Sequence, residues 1–360
     1  MKRILSGIRP TGKLHLGNYL GAVRHFVDLS RDPENDCLFF IANLHGLTTG
    51  ASCEAAMEMK EDIIGIVLDY LAAGLDPEAS NVLIYAQSSV PEITELTWIL
   101  SCVTPLSELL GMHHFADKRD KLSGAGESVN AGLLVYPVLM SADILGPCAN
   151  IVPVGDDQRE HVELARRTAR RFNDRFEKDF FPIPDTMEGE GIRVPGLKGS
   201  GKMGKSEPKG TVNLTDSVEQ VNHKVMKADK MLPANPSSVL SPVEPRIGEA
   251  PGIPDICRVF HLHDHVTLVA DDPVIGRIHS GCETGTLRCG DCKILLAQRM
   301  NALLEPIRER RTELLASRGR DLAMEILVEH GRRARALIAP TVEKVKDLVG
   351  VPSYRRKEGA

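Results

Sequence analysis

The sequence predicts an α/β protein: a Rossmann-like, doubly wound parallel sheet with a helical insertion, followed by a mostly α-helical C-terminal domain. Three observations carry this expectation. Cys37 to Ile41 and Val82 to Ala86 are short apolar runs bounded by turn residues, as suits strands buried on both faces. Between them Glu54 to Ala73 has helical spacing and stops at Gly74, with Pro77 beyond, so strand, helix and strand follow one another. Past residue 212 the strand signals cease and helical composition takes over.

In chain order, the apolar lead-in Arg3 to Leu5 reads as the first strand. It runs into a glycine-rich turn, S-G-I-R-P-T-G-K-L-H-L-G-N at residues 6–18, and an amphipathic helix from Asn18. Glu92 to Val103 and Ala131 to Leu145 read as helices, the second apolar on most sides and therefore buried. Ile151 to Val154 is a further strand, and Asp157 to Arg175 a long helix with Arg166, Arg167, Arg170 and Arg171 largely on one side. From Phe181 to Gly210 proline and glycine break every pattern, as in a functional or mobile loop. Asp216 and Glu219 predict a capping box and a new helix. A second proline-rich interval, Pro233 to Pro254, precedes the cysteines. Two helices follow Lys293, with a break near Gly319 and the last around Ala323 to Leu348, expected to pack back on the first domain. The division falls at 1–211 and 212–360.

The 360 residues are 42% hydrophobic and 26% charged, values of a soluble globular chain with room for a full core. No apolar run approaches membrane-spanning length and the N-terminus M-K-R-I-L-S-G lacks an export segment, so a cytoplasmic protein is expected. The net charge of −5 is uneven: from Lys293 onward the balance is +6, leaving −11 before it. That basic end is where an RNA backbone would be held, although a solvated helix face has the same composition.

Two stretches carry chemistry. In the first, the free N–H groups of a helix start attract anions, Gly12 and Gly17 admit a ligand to the backbone, and His15 and Asn18 add donors. Alone it equally describes an ordinary turn. In the second, G-K-M-G-K-S at 201–206, Lys202 and Lys205 can converge on one polyphosphate. The spacing of a P-loop is absent, and alone this too would be a solvated basic loop.

Together the pair matches the signatures of class I aminoacyl-tRNA synthetases. P-T-G-K-L-H-L-G-N-Y-L-G-A, A-G-L-L-V-Y-P-V-L-M-S-A-D-I-L at 131–145, I-V-P-V-G-D-D-Q at 151–158, E-L-A-R-R-T-A-R-R-F-N and R-R-A-R-A-L-I-A-P-T-V-E-K-V closely resemble the tryptophanyl-tRNA synthetase family over nearly the whole chain. The resemblance implies attack of the L-tryptophan carboxylate on the α-phosphorus of ATP, release of pyrophosphate, and transfer of the tryptophanyl group from the adenylate to the 3′ end of tRNA(Trp). Mg2+ would accompany ATP, and a homodimer joined through helices of residues 54–145 is implied. Carried over by position, His15, Asn18, Lys202, Lys205 and Ser206 serve the phosphates, with Gly17 and Met203 in the same signatures. Arg9 faces the carboxylate or a phosphate, His45 the adenine side and Asp157 the ribose. Asp143 accepts the indole N–H, Met140, Val152 and Val154 pack on the ring, and Tyr136 and Gln158 hold the α-amino group. Departures are Gly204 where serine is usual, Arg9 where some members have glutamine, Asn43 for a frequent aspartate, and a longer 116–130 loop in which Lys118 or Lys121 would supply an additional ATP lysine. A tyrosyl enzyme, whose second signature reads similarly, is disfavoured by Asp143 and by the V-P-V-G-D-D-Q segment.

Of eight cysteines, Cys37, Cys53, Cys102 and Cys148 read as inert packing residues of a reducing compartment. Cys257, Cys282, Cys289 and Cys292 are spaced C-x24-C-x6-C-x2-C, which suits tetrahedral thiolate coordination of zinc or of an iron–sulfur cluster. A subset of the tryptophanyl family carries a 4Fe-4S cluster with two fewer residues in the first interval, and that resemblance favours iron–sulfur. The longer interval and the neighbouring His261, His263 and His265 leave Zn2+ as the alternative.

Overall fold

The computed structural model describes residues 2–49, 52–113, 115–116, 119, 129–155, 158–176, 179–187, 194–199, 201–204, 207–229, 252–267 and 274–353. Lys118, Lys121, Asp157, Lys205 and Ser206 lie outside these residues.

Five parallel strands form one sheet in the order β3-β2-β1-β4-β5. They are β1 (Lys2–Ile8), β2 (Asn35–Ile41), β3 (Val82–Ala86), β4 (Ile151–Val152) and β5 (Asp185–Thr186). β1 and β2 pair along their whole length, from Lys2 opposite Asn35 to Ile8 opposite Ile41. β1 and β4 share only the pair Ile4 and Ile151 before they part, and Ser6 Oγ spans the gap to the Pro153 carbonyl at 3.3 Å. The chain leaves β1 towards β2 and β3, then returns on the other side to β4. That reversal opens a crevice outside the carboxyl ends of β1 and β4, the place where open α/β sheets bind ligands.

Both faces of the sheet are covered, as the apolar strands require. Ile4, Cys37, Phe39, Ile41, Val82 and Ile84 point into one core, shared with α1 (Leu16–Asn18), α2 (Arg24–Ser30) and α4 (Cys53–Ala73). Leu5, Leu38, Phe40, Leu83 and Tyr85 point into the other, shared with α5 (Glu92–Ser101), α7 (Ala131–Leu145) and α8 (Arg159–Arg175). The short α3 (Asn43–Gly46) and α6 (Leu106–Leu110) fill connections. α4 is capped by Ser52 at its start and ends in Gly74 at φ 110°, a left-handed position that a side chain would strain. A π-type widening over Tyr19–Val23 joins α1 to α2, directly beneath the crevice.

The helical half comprises α9 (Val218–Met226), α10 (Arg258–Thr267), α11 (Val274–Glu283), α12 (Cys289–Ser317) and α13 (Gly319–Leu348). The capping box of α9 is formed by Ser217 and Gln220, one residue beyond the Asp216 and Glu219 pair expected. Asp216 instead accepts from the Asn213 amide at 2.9 Å and pairs with Lys224 at 2.6 Å. α13 lies along the outer edge of β3, where the Ile84 amide, which has no neighbouring strand, donates to His330 Nδ1 at 2.9 Å. A buried side chain thereby satisfies an edge amide that would otherwise cost free energy.

Part of the charge of the basic C-terminal segment, expected to hold an RNA backbone or to be a solvated helix face, is engaged within the chain. Arg311 pairs with Asp69, Arg320 with Glu61, Arg335 with Glu92 and Lys346 with Glu95, all carboxylates of the first half. Likewise Arg167 and Arg171 of α8 both reach Glu108. Of the four cysteines expected to be packed away, Cys37 is buried, whereas Cys53 and Cys102 are exposed at the ends of α4 and α5. Among the described residues no helix is long and apolar enough to cross a membrane.

Candidate active site

The crevice holds a cleft of about 460 Å³. Its floor is the end of β1, Leu5 to Arg9, where Gly7 is required: a Cβ there would fall 2.6 Å from the Phe40 ring. α7 gives Tyr136, Met140, Asp143 and Ile144; the segment from β4 gives Val152 and Val154; Asn18, Gln158 and Lys202 stand at the rim. Ten expected residues are thus gathered in one cavity, Arg9, Asn18, His45, Tyr136, Met140, Asp143, Val152, Val154, Gln158 and Lys202.

Asp143 is a buried carboxylate in a largely apolar wall, 5% exposed. Gln87 Nε2 donates to both of its oxygens at 2.8 Å, and His45 Nε2 donates to Oδ2 at 2.9 Å. Burial pushes the carboxyl upward from its ordinary range, and the bonds from His45 and Gln87 pull it back. A carboxylate offers about four lone-pair sites, and these bonds fill all but one, on Oδ1. An N–H entering the cleft therefore meets one acceptor held in place. His45, expected on the adenine side, is bonded to this carboxylate. Gln87 follows β3, and its Oε1 accepts from the Leu44 amide at 3.0 Å, so it locks α3 to α7.

Tyr136 hydroxyl and His161 Nε2 are 2.8 Å apart, which holds the phenol ring over the cleft. Burial moves the phenol up to about 12, with the Arg9 charge opposing, so it stays a neutral donor and acceptor. His161 and Gln87 escaped sequence reasoning, because nothing local marks a buried histidine in α8 or a lone glutamine after a strand.

The two signature stretches meet at the start of α1. Asn18 N donates to His15 Nδ1 at 3.2 Å and His15 N donates to Asn18 Oδ1 at 3.1 Å, a reciprocal cap at the helix end. The Leu16 amide donates to the Val212 carbonyl at 2.8 Å and the Leu214 amide to the Leu14 carbonyl at 3.0 Å. The chain that has just left the G-K-M-G-K-S loop is thereby laced to the H-L-G-N turn. A Cβ on Gly17 would lie 3.0 Å from His15 Nδ1 and 3.5 Å from Met203 Cβ, so glycine lets the second stretch close against the first. Asn18 and Lys202 face the cavity, while His15 and Met203 are buried beside it. Gly204 has neither a positive φ nor a close neighbour, and a serine would fit. Its amide and carbonyl are both held by the Thr211 hydroxyl, at 3.2 and 2.6 Å.

Cys257, Cys282, Cys289 and Cys292 line a second, small pocket of about 30 Å³ between α10, α11 and α12. A Cβ on Gly252 would come 2.4 Å from Cys282 Sγ, so glycine keeps space around that thiol. Among the described residues, however, no three Cys, His, Asp or Glu side chains are grouped so as to hold a metal ion. Of the histidines that kept zinc open, His261 Nε2 donates to the Asp255 carbonyl at 2.8 Å, whereas His263 Nε2 donates to the Cys292 carbonyl at 3.0 Å and lies 3.5 Å from the Cys292 thiol.

Comparison with known proteins agrees with this geometry. Residues 1–305 match the family model of class I tRNA synthetases for W and Y. Tryptophan–tRNA ligase of Porphyromonas gingivalis is 39% identical over 352 residues, covering 97% of this chain and 99% of that protein. The ligase of Deinococcus radiodurans is 35% identical over 350 residues with the same coverage. The tryptophanyl-tRNA synthetase of Campylobacter jejuni, solved in complex with ADP and tryptophan, superposes with a TM-score of 0.76 at 30% identity, covering 97% of this chain and 99% of that one. With a Rossmann-like sheet, both signatures side by side and full-length relatives of one activity, the chain belongs to the tryptophanyl-tRNA synthetases of class I.

Proposed function

We propose that the cleft between β1 and β4 is where this synthetase joins L-tryptophan to ATP, and that Asp143 selects the amino acid. The observation that carries this reading is the single open acceptor site on a buried carboxylate braced by Gln87 and His45. The indole N–H completes it; a phenylalanine ring leaves it unpaired, a loss of the size that gives strong discrimination. Met140, Val152 and Val154 pack on the ring, and Tyr136 and Gln158 take the α-amino group. Arg9 draws the carboxylate towards the α-phosphorus. Since the nucleophile is already ionised, rate enhancement comes from alignment and from charge at the phosphates. Asn18 and His15 act from the helix start and Lys202, with Lys205 and Ser206, from the loop. Asp157 takes the ribose, and Mg2+ arrives with ATP.

Residues 212–360 are assigned to the tRNA, as a helical anticodon-binding domain behind a catalytic domain of residues 1–211, in a cytoplasmic homodimer. The four cysteines are assigned to a 4Fe-4S cluster. Support for that choice is the family resemblance of the cysteine spacing and the four thiols lining one pocket.

One preparation tests both readings. Anaerobically purified protein should catalyse pyrophosphate exchange with tryptophan and not tyrosine, and should be brown with broad visible absorption. Exchange with tyrosine would overturn the first assignment, and colourless protein with stoichiometric zinc the second.

A further inference from the structure

The cysteine pocket and the root of the signature loop are joined by two buried cations. Arg258 follows Cys257 in the chain and is 1% exposed, and its guanidinium donates to the carbonyls of Gly196 and Gly199. Lys293 follows Cys292, is also buried, and donates to the carbonyls of Met226 and Ala228 at 3.1 and 2.6 Å. The strap that Lys293 holds is tied to the same loop root: the Asp229 amide donates to the Leu197 carbonyl at 2.8 Å, and Asp229 Oδ2 accepts from the Gly199 amide at 3.1 Å.

The placement of these cations is costly and local. A buried guanidinium whose direct partners are carbonyls, with the Asp229 carboxylate acting on it only at longer range, pays desolvation that an apolar residue of similar size would avoid. What it obtains is a second grip on a backbone with few side chains of its own. Residues 196, 199 and 201 are glycines, with no side chains to pack, so between the buried Val194 and Leu197 and the Asp229 carboxylate their position depends on hydrogen bonds to their backbone. The Gly196 amide is already bonded to the Gly201 carbonyl at 3.1 Å, and Met203 N to Val194 O at 2.8 Å, forming the turn that delivers Lys202 to the cleft.

We propose that Arg258 and Lys293 are positioning residues for adenylate formation: they fasten the root of the loop bearing Lys202 to the helices that carry Cys257 and Cys292. The cysteine pocket and the loop root then behave as one body, and the approach of Lys202 to ATP depends on helices outside the cleft. The proposal rests on the reading that this loop acts on ATP.

The test uses the full-length protein and the variants Arg258→Met, Arg258→Lys, Lys293→Met and Lys202→Ala. Hydrogen exchange of peptides spanning residues 194–204 is read beside the kcat and KM values of pyrophosphate exchange. In Arg258→Met exchange there should quicken about tenfold or more, and kcat should fall about 10- to 100-fold, the cost of a slightly misplaced group. KM for tryptophan should hold, since the residues that receive it are untouched. Arg258→Lys should recover part of both effects, because one ammonium can still reach one carbonyl, and Lys293→Met should show the same pattern more weakly. If Arg258→Met does not fold, the Arg258→Lys and Lys293→Met variants are judged by the same two readouts. Unchanged exchange at 194–204 in the folded variants, or tryptophan binding lost in step with kcat, overturns the proposal. An undiminished kcat in Lys202→Ala would refute the role of the loop on ATP, while the exchange measurement would still decide whether Arg258 and Lys293 fasten it.

Discussion

Arg311 Nε donates to Asp69 Oδ1 at 2.7 Å, and the same carboxylate accepts the backbone N–H of Leu14, the residue before His15. Seven residues earlier on α4, Asp62 takes the Gly12 amide. The backbone of the first signature is thus held from below by two acids of one helix, and one of them is anchored in turn by α12 of the helical half. The H-L-G-N turn is thereby tied to α12 through the Arg311–Asp69 ion pair.

That pair predicts a pH-dependent cost for Arg311→Met. Burial raises the Asp69 carboxyl to about 6, against the pull of Arg311 and Leu14. A raised folded pKa means that stability is lost as pH rises through that value, because the folded protein must then carry the buried charge. Removing Arg311 leaves this charge uncompensated at pH 8, a loss of about 3 kcal/mol or more. At pH 5 Asp69 is mostly protonated and the loss should be much smaller. Urea midpoints of parent and variant at the two pH values measure it; equal losses at both would show that the pair carries no buried charge.

Gln87→Leu should damage tryptophan recognition without touching ATP. The variant removes both amide donations to Asp143 and leaves the Leu44 amide unpaired. Hydrogen bonds to a charged group are worth about 1.5–3 kcal/mol, so KM for tryptophan should rise about tenfold or more. Discrimination against phenylalanine should narrow as the carboxylate loses its fixed geometry. Steady-state pyrophosphate exchange gives both constants, and a matching rise in KM for ATP would mean a general distortion of the cleft.

How far the chain could be read in advance depended on where the information sits. Val82–Ala86 and Ala131–Leu145 were legible to the residue, because apolar runs are local signals. β1 runs on to Ile8, beyond the expected Leu5, since Ser6 and Gly7 lack strand character and are held by their partners Phe39 and Phe40. Asp143 was legible through the signature around it, and Gln87 was not, because its meaning comes from a carboxylate 56 residues away. The charge count of the last segment was incomplete for a similar reason: composition cannot tell that Arg335 and Lys346 face Glu92 and Glu95.

The homodimer proposed for this chain can be tested at an exposed apolar side chain. Trp98 on α5 is 73% exposed, and Leu106 and Leu110 are exposed on α6, which follows α5 in the chain, all within the interval expected to join two protomers. Large exposed apolar groups are the material of an interface, and tryptophan is the kind of residue that carries binding energy there. Trp98→Glu would place a charge where apolar surface is buried, a substitution that costs several kcal/mol if the carboxylate stays unpaired. Sedimentation should therefore find the parent as a dimer and the variant as a monomer at micromolar concentration. Because Trp98 is the chain's only tryptophan, its emission should also shift to longer wavelength as the parent is diluted. A Trp98→Glu protein that remains dimeric would place the interface elsewhere.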